Sequence, residues 1–79
     1  MNNVKNQTFI TAFGEHLKQL RLNRGLSQED LANEADIPIN QIGRIERGEV
    51  NTTISTVYVI AKALDVAIAE LFNFAMKEN

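Results

Sequence analysis

Residues 26–48 read LSQEDLANEADIPINQIGRIERG, and this stretch decides the fold. Ser27 followed three residues later by Asp30 forms a capping box in its acidic form: the Ser27 oxygen takes an N-terminal amide, and acids favour the positive end of the helix dipole. A helix therefore starts at Ser27, with Leu31, Ala32 and Ala35 facing inward. The small Ala32 lets a second helix approach its backbone. Asp36 ends this helix, because aspartate tolerates the left-handed conformation that a sharp inter-helix turn requires. Pro38 suits the first turn of the next helix, where its missing amide hydrogen costs nothing. That helix runs to about Arg47 and stops at Gly48. Residues 27–47 thus describe two short helices joined by a tight turn.

At about 100° per residue, Ile42 and Ile45 point to one side of the second helix, and Asn40, Gly43, Arg44 and Arg47 point to the other. Ile39 and Gln41 fall on the flanks. The outward face then carries one amide, two guanidinium groups and a glycine that adds no bulk. Taken alone, such a face reads as an ordinary solvated helix surface; its neighbours in the chain change that reading.

The remainder is helical by period. Phe9, Phe13, Leu17 and Leu20 recur at helical spacing, and Gly25 ends that segment. Thr53 with Thr56 marks the start of a fourth helix, whose inner residues are Val57, Ile60, Ala61 and Leu64. A fifth is expected from about Ala67, burying Ile68, Leu71 and Phe72. No segment shows the two-residue alternation of a strand. The expected architecture is all-α, a compact five-helix domain over residues 8–75, with flexible ends at 1–7 and 76–79.

Composition is that of one small domain: 79 residues, 44% of them hydrophobic, give a modest core near the size at which partners add stability. With no cysteine, neither a disulfide framework nor a thiolate metal site can form. The N-terminal MNNVKNQTF is polar, and no run is long enough to span a membrane, so the expected location is the cytoplasm.

The stretch from about Phe13 to Phe72 resembles the helix-turn-helix DNA-binding domains of the Cro and phage-repressor type, also called the xenobiotic-response-element (XRE) family of bacterial regulators. The resemblance rests on Leu17, Leu20, Arg21, Gly25, Leu26, Ser27, Gln28, Leu31, Ala32, Ile42, Ile45, Glu46, Arg47, Gly48, Leu64, Leu71 and Phe72. Its strongest signature is LSQEDLA, then IGRIERG, then ELF. The sequence departs from the family pattern at Asp36, where glycine is usual, and at Pro38, where a hydroxyl residue is common. A third departure is Ala67, in place of a serine-like cap, which should weaken the last helix by roughly 1 kcal/mol.

The resemblance implies a lambda-repressor-like fold and sequence-specific binding of a double-stranded DNA operator, with no cofactor and no catalysis. By this likeness Ser27 and Gln28 meet phosphates. Ile39 touches a thymine methyl, Asn40 pairs with an adenine edge, and Arg44 forks onto guanine. Gln41 reaches a base or a phosphate, Arg47 belongs to the same face, and Asn51, Thr52 and Thr53 contact the backbone. Arg21 and Glu46 occupy positions that form an ion pair in resembling repressors; a phosphate contact is the competing role for Arg21.

Net charge opposes this reading, since ten acidic residues outnumber eight basic ones and nucleic-acid binders usually carry a basic excess. Distribution counts for more. Arg24, Arg44 and Arg47 are expected in or beside the binding unit, with Asp65, Glu70 and Glu78 away from it. Few phosphate contacts per chain then call for a second copy. Val66, Ile68, Leu71, Phe72, Phe74, Ala75 and Met76 supply more apolar surface than one short helix can hide. Phe74 and Met76 are candidates for a homodimer surface, with Tyr58 and Val59 as additions; the alternative is packing under the first helix beside Phe9 and Ile10. A homodimer implies a palindromic operator.

An enzyme needs a nucleophile, a metal cluster or paired acids, and the chain offers a lone His16 on a surface-facing part of the first helix. The remaining competitor is an antitoxin that binds a partner toxin and autoregulates its operon. Repressor and restriction-system controller are both compatible with the sequence.

Overall fold

Each α-helix begins on a side-chain cap or a proline and is followed by a left-handed residue. The computed structural model describes residues 5–76. In it α1 spans Gln7–Asn23, α2 Gln28–Ala35, α3 Ile39–Glu46 and α4 Ile54–Leu64, followed by a short 3-10 helix, Ile68–Phe72. Asn6, Ser27 and Thr53 cap α1, α2 and α4 by accepting the amides of Phe9, Asp30 and Thr56, which satisfies donors that a helix start leaves open. Pro38 stands at the cap of α3, one position ahead of the helix.

Gly25, Asp36, Gly48 and Asp65 follow the four α-helices at φ 72°, 59°, 73° and 57°. Just beyond each, an amide reaches five residues back: Leu26 to Arg21, Ile37 to Ala32, Glu49 to Arg44 and Val66 to Ala61. This termination closes carbonyls that have no intrahelical partner. It turns the chain sharply after each α-helix.

Leu17, Leu31, Ile42, Ile45, Ile60, Leu64 and Leu71 are fully buried, each burial stabilising the domain by roughly 1.5–3 kcal/mol. They come from every element, so the core lies where α1, α2, α3 and α4 converge, with Leu71 closing it from the 3-10 helix. α1 crosses α3 at Gly14: a Cβ there would meet the Ile45 carbonyl oxygen and lie 2.8 Å from that of Glu46. Only a residue without a side chain permits this approach.

Three expectations are corrected. The last element is a 3-10 helix, not a fifth α-helix, and Ala67 provides no side-chain cap for it. It buries Leu71 alone, leaving Ile68 and Phe72 47% and 42% exposed. Gly43 lies toward Arg47 as expected but is buried, because the Arg47 and Gln28 side chains cover it. Among the described residues α1 begins at Gln7, inside the stretch expected to be a loose end; the remainder of the expected flexible ends, 1–4 and 77–79, lies outside the described residues.

Candidate nucleic-acid interface

The support beneath α3 is an ion pair. Arg21 on α1 donates from Nε to Glu46 Oε2 at 2.6 Å and from Nη2 to Glu46 Oε1 at 3.0 Å, and both residues are buried. Its Nη1 donates to the Leu26 carbonyl at 2.8 Å, so all three guanidinium nitrogens are engaged within the domain. The Glu46 hydrogen bond holds Arg21 above its usual pKa. Glu46 Oε1 also accepts from Gln28 Nε2 at 2.9 Å. One carboxylate therefore ties together α1, the start of α2 and the end of α3.

At the start of α2 the capping box is complete: Asp30 N–H donates to Ser27 Oγ and Ser27 N–H to Asp30 Oδ2, both at 2.9 Å. The Ser27 amide holds the Asp30 carboxyl below the usual range. Ser27 is exposed and Gln28 half-buried, so the first turn of α2 opens to solvent beside α3.

Ile39, Asn40 and Arg44 are exposed along α3, with Gln41 half-buried. A polar notch runs between α3 and the loop entering α4, lined by Pro38, Asn40, Gln41, Arg44 and residues 50–53, with Thr56 at its end. This brings Asn40, Gln41 and Arg44 together with Asn51, Thr52 and Thr53. Thr53 Oγ1 is already engaged, accepting from the Thr56 amide and donating to Thr56 Oγ1. Arg47 stands apart from the notch, bound to Glu49 at 2.7 Å. Arg24 lies 3.4 Å from Asp65 at the end of α4, an acid expected to be away from it. The cations of the site are thus Arg44 and Arg47.

An apolar groove adjoins the notch and shares Val50, Asn51 and Thr52 with it. Its walls are Phe9, Ile10 and Phe13 of α1, Ile54, Val57 and Tyr58 of α4, and Ile68 and Phe72 of the 3-10 helix. Ile54 is 86% and Tyr58 53% exposed. Phe72 packs on Phe13 and Phe9 with ring centroids 5.2 and 6.3 Å away. Phe74 is half-buried against its own α1, its ring 5.6 Å from Phe9 and 5.4 Å from His16, while Val59 and Met76 are also half-buried. His16 is not a solvated side chain: Nε2–H donates to the Glu70 carbonyl at 2.7 Å. The sequence reading missed Gly14, Glu49 and the groove, since nothing in periodicity marks a helix crossing or a hollow between three elements.

A helix-turn-helix family model, HTH_3, matches residues 17–71. The chain belongs to the HTH_3 helix-turn-helix family. HTH_3 proteins of this XRE/Cro-like kind are DNA-binding transcriptional regulators rather than enzymes. The chain is 40% identical over 68 residues to the control protein C.BamHI of Bacillus amyloliquefaciens, covering 85% of this chain and 84% of that one. It is 39% identical over 57 residues to the control protein C.SmaI of Serratia marcescens, covering 72% and 68%. Among solved structures, the restriction-modification controller protein C.AhdI of Aeromonas hydrophila superposes with a TM-score of 0.79 at 38% identity, covering 80% of this chain and 96% of that one. Among the described residues of this HTH_3 domain, no helix is long and apolar enough to cross a membrane.

Proposed function

We propose that this HTH_3 domain is a controller-type regulator that binds a palindromic operator as a homodimer and governs transcription of a restriction-modification locus. The observation that carries this is the placement of the exposed α3 row beside the α4 entry loop, with the apolar groove sharing three residues of that loop. A second copy seated on the groove sets two α3 helices side by side on one face of the pair. Each then enters a major groove, one helical turn from the other. The likeness to C.BamHI, C.SmaI and C.AhdI supports the restriction-modification setting.

In this reading Ser27 and Gln28 fix the register on phosphates, helped by the open amides at the start of α2. Asn51, Thr52 and Thr53 clasp the backbone on the far side of α3. Asn40 pairs with adenine, Arg44 forks onto guanine and Ile39 packs on a thymine methyl; Gln41 and Arg47 flank these contacts. Regulation follows from occupancy, by blocking a promoter or by presenting a surface to polymerase.

Selection from random duplexes followed by footprinting tests this. The expected result is a two-fold site with half-sites about 10 base pairs apart, centre to centre, bound by two chains. Failure to enrich any sequence, or an asymmetric footprint bound by one chain, overturns it.

A further inference from the structure

Glu49 breaks a pattern that the other helix ends keep. The residue whose amide reaches five back is apolar after α1, α2 and α4, where Leu26, Ile37 and Val66 pack against the core. An apolar contact is the usual companion of this termination. After α3 the same position is Glu49, whose amide is pinned to the Arg44 carbonyl at 2.9 Å. Gly48, at φ 73°, turns the chain there and is held by Gln7 Nε2 on its carbonyl at 2.8 Å. The backbone of Glu49 is therefore fixed beneath the end of α3, and its side chain turns back toward the guanidiniums of that helix.

It binds one of them and lies close to the other. Arg47 donates from Nε to Glu49 Oε2 at 2.7 Å and from Nη2 to Oε1 at 3.4 Å, and Arg44 Nε lies 4.0 Å from Oε1. All three side chains are about half exposed. The Arg47 hydrogen bond also keeps the Glu49 carboxyl below its usual range, so it stays charged. Thus the two cations of the proposed DNA face share one anion supplied by the protein.

We propose that Glu49 is a specificity-determining positioning residue: it holds Arg47 and Arg44 in place on the readout face and disfavours binding to phosphates alone. This rests on the DNA-binding reading above. Contacts to non-specific DNA are almost wholly electrostatic. There each guanidinium must exchange Glu49 for a phosphate, and the carboxylate itself meets the negative backbone. On the operator, an arginine steadied by Glu49 delivers its fork to a base edge without first losing side-chain freedom. Removing the carboxylate helps the first mode and harms the second.

The test compares the wild-type chain with Glu49→Gln, and with Glu34→Gln as a control of equal charge change on an exposed residue of α2, each against the selected operator and a scrambled duplex over a range of salt. Glu49→Gln is expected to bind the scrambled duplex about three- to tenfold more tightly at low salt, with the slope of log K against log salt steeper by about one. Operator affinity should stay level or fall, so the specificity ratio drops by the same factor or more. Glu34→Gln should move neither quantity. Circular dichroism confirms that the helices are intact. Unchanged scrambled-duplex affinity and slope in Glu49→Gln, an equal gain on both duplexes, or the same gain in Glu34→Gln overturns the proposal. By contrast, a wild-type chain that binds neither duplex overturns the DNA-binding reading itself.

Discussion

Arg21 and Glu46 stand 25 residues apart and meet through two hydrogen bonds, of 2.6 and 3.0 Å, in the interior of the domain. The Glu46 carboxylate is nearly sealed from water, and Gln28 takes its remaining approach at 2.9 Å. Glu46→Ala strands the guanidinium, and a loss of about 3–5 kcal/mol is expected for an orphaned buried charge. Replacing both partners, as Arg21→Met with Glu46→Leu, should cost clearly less than Glu46→Ala alone. Urea unfolding of the single and double variants measures the coupling; additive losses would mean that the pair does not act as a unit.

Gly14 is a second long-range constraint. An alanine in mid-helix ordinarily gains about 1 kcal/mol over glycine, so helix propensity alone favours Gly14→Ala. The added Cβ instead collides with backbone oxygens of Ile45 and Glu46, which have no flexible side chain to move aside. A net destabilisation of about 1–3 kcal/mol is expected from the overpacking. Thermal unfolding decides it, and a stabilised variant would show that α1 and α3 can separate at no cost.

For the proposed DNA face, Arg44→Ala should lower operator affinity by about 1–3 kcal/mol and relax preference at one base pair in each half-site. Gln28→Ala should weaken all sequences alike, with little change of salt slope, since an uncharged phosphate contact positions without specifying. Gel-shift titrations over a panel of single-base operator variants separate the two outcomes. An unaltered base preference in Arg44→Ala would remove Arg44 from direct readout.

Burying the apolar groove against a second copy should make the chain a dimer at micromolar concentration. The double variant Ile54→Glu, Ile68→Glu places unpartnered charge in that contact, while glutamate in the first turn of α4 suits the helix dipole. A monomer with full helicity is expected by sedimentation equilibrium and circular dichroism. Phe74→Glu, whose ring packs on Phe9 and His16 of its own chain, should lower stability as well as association. A double variant that remains dimeric would displace the interface from the groove.

The capping box gives a pH signature. Asp30 is held below its usual pKa by the Ser27 amide, so its contribution is present above the unfolded value, about 3.9, and is lost as pH falls through the lower folded value. Asp30→Asn should therefore be less stable than the wild type near neutrality, with the two melting temperatures converging on acidification below about pH 4. A constant gap across that range would assign the difference to something other than the ionised cap.

Local instructions were legible in the sequence because they act within a single turn. Ser27 and Asp30 spell a helix start, Asp36 and Gly48 spell stops, and the spacing of Ile42 and Ile45 orients α3. The family signature, spread over Leu17 to Phe72, was legible for the same reason: most of its residues serve a cap, a turn or one inward face. At Ala67 the missing cap was visible, but not that the element it opens is a 3-10 helix burying Leu71 alone.

Relations between distant segments were decided only by the tertiary structure. Gly43 is covered because Gln28 of α2 and the Arg47 side chain lie over it, and Arg24 meets Asp65 because the end of α4 lies beside the end of α1. Gly14 owes its role to a crossing that helical period does not encode. Glu49 reads in the sequence as one more surface acid, yet Gly48 folds it back onto Arg44 and Arg47. Caps and periodicity are set by neighbours along the chain, whereas a close approach, a groove or a shared carboxylate exists only once the helices have packed and the same few ångströms are claimed from several sides.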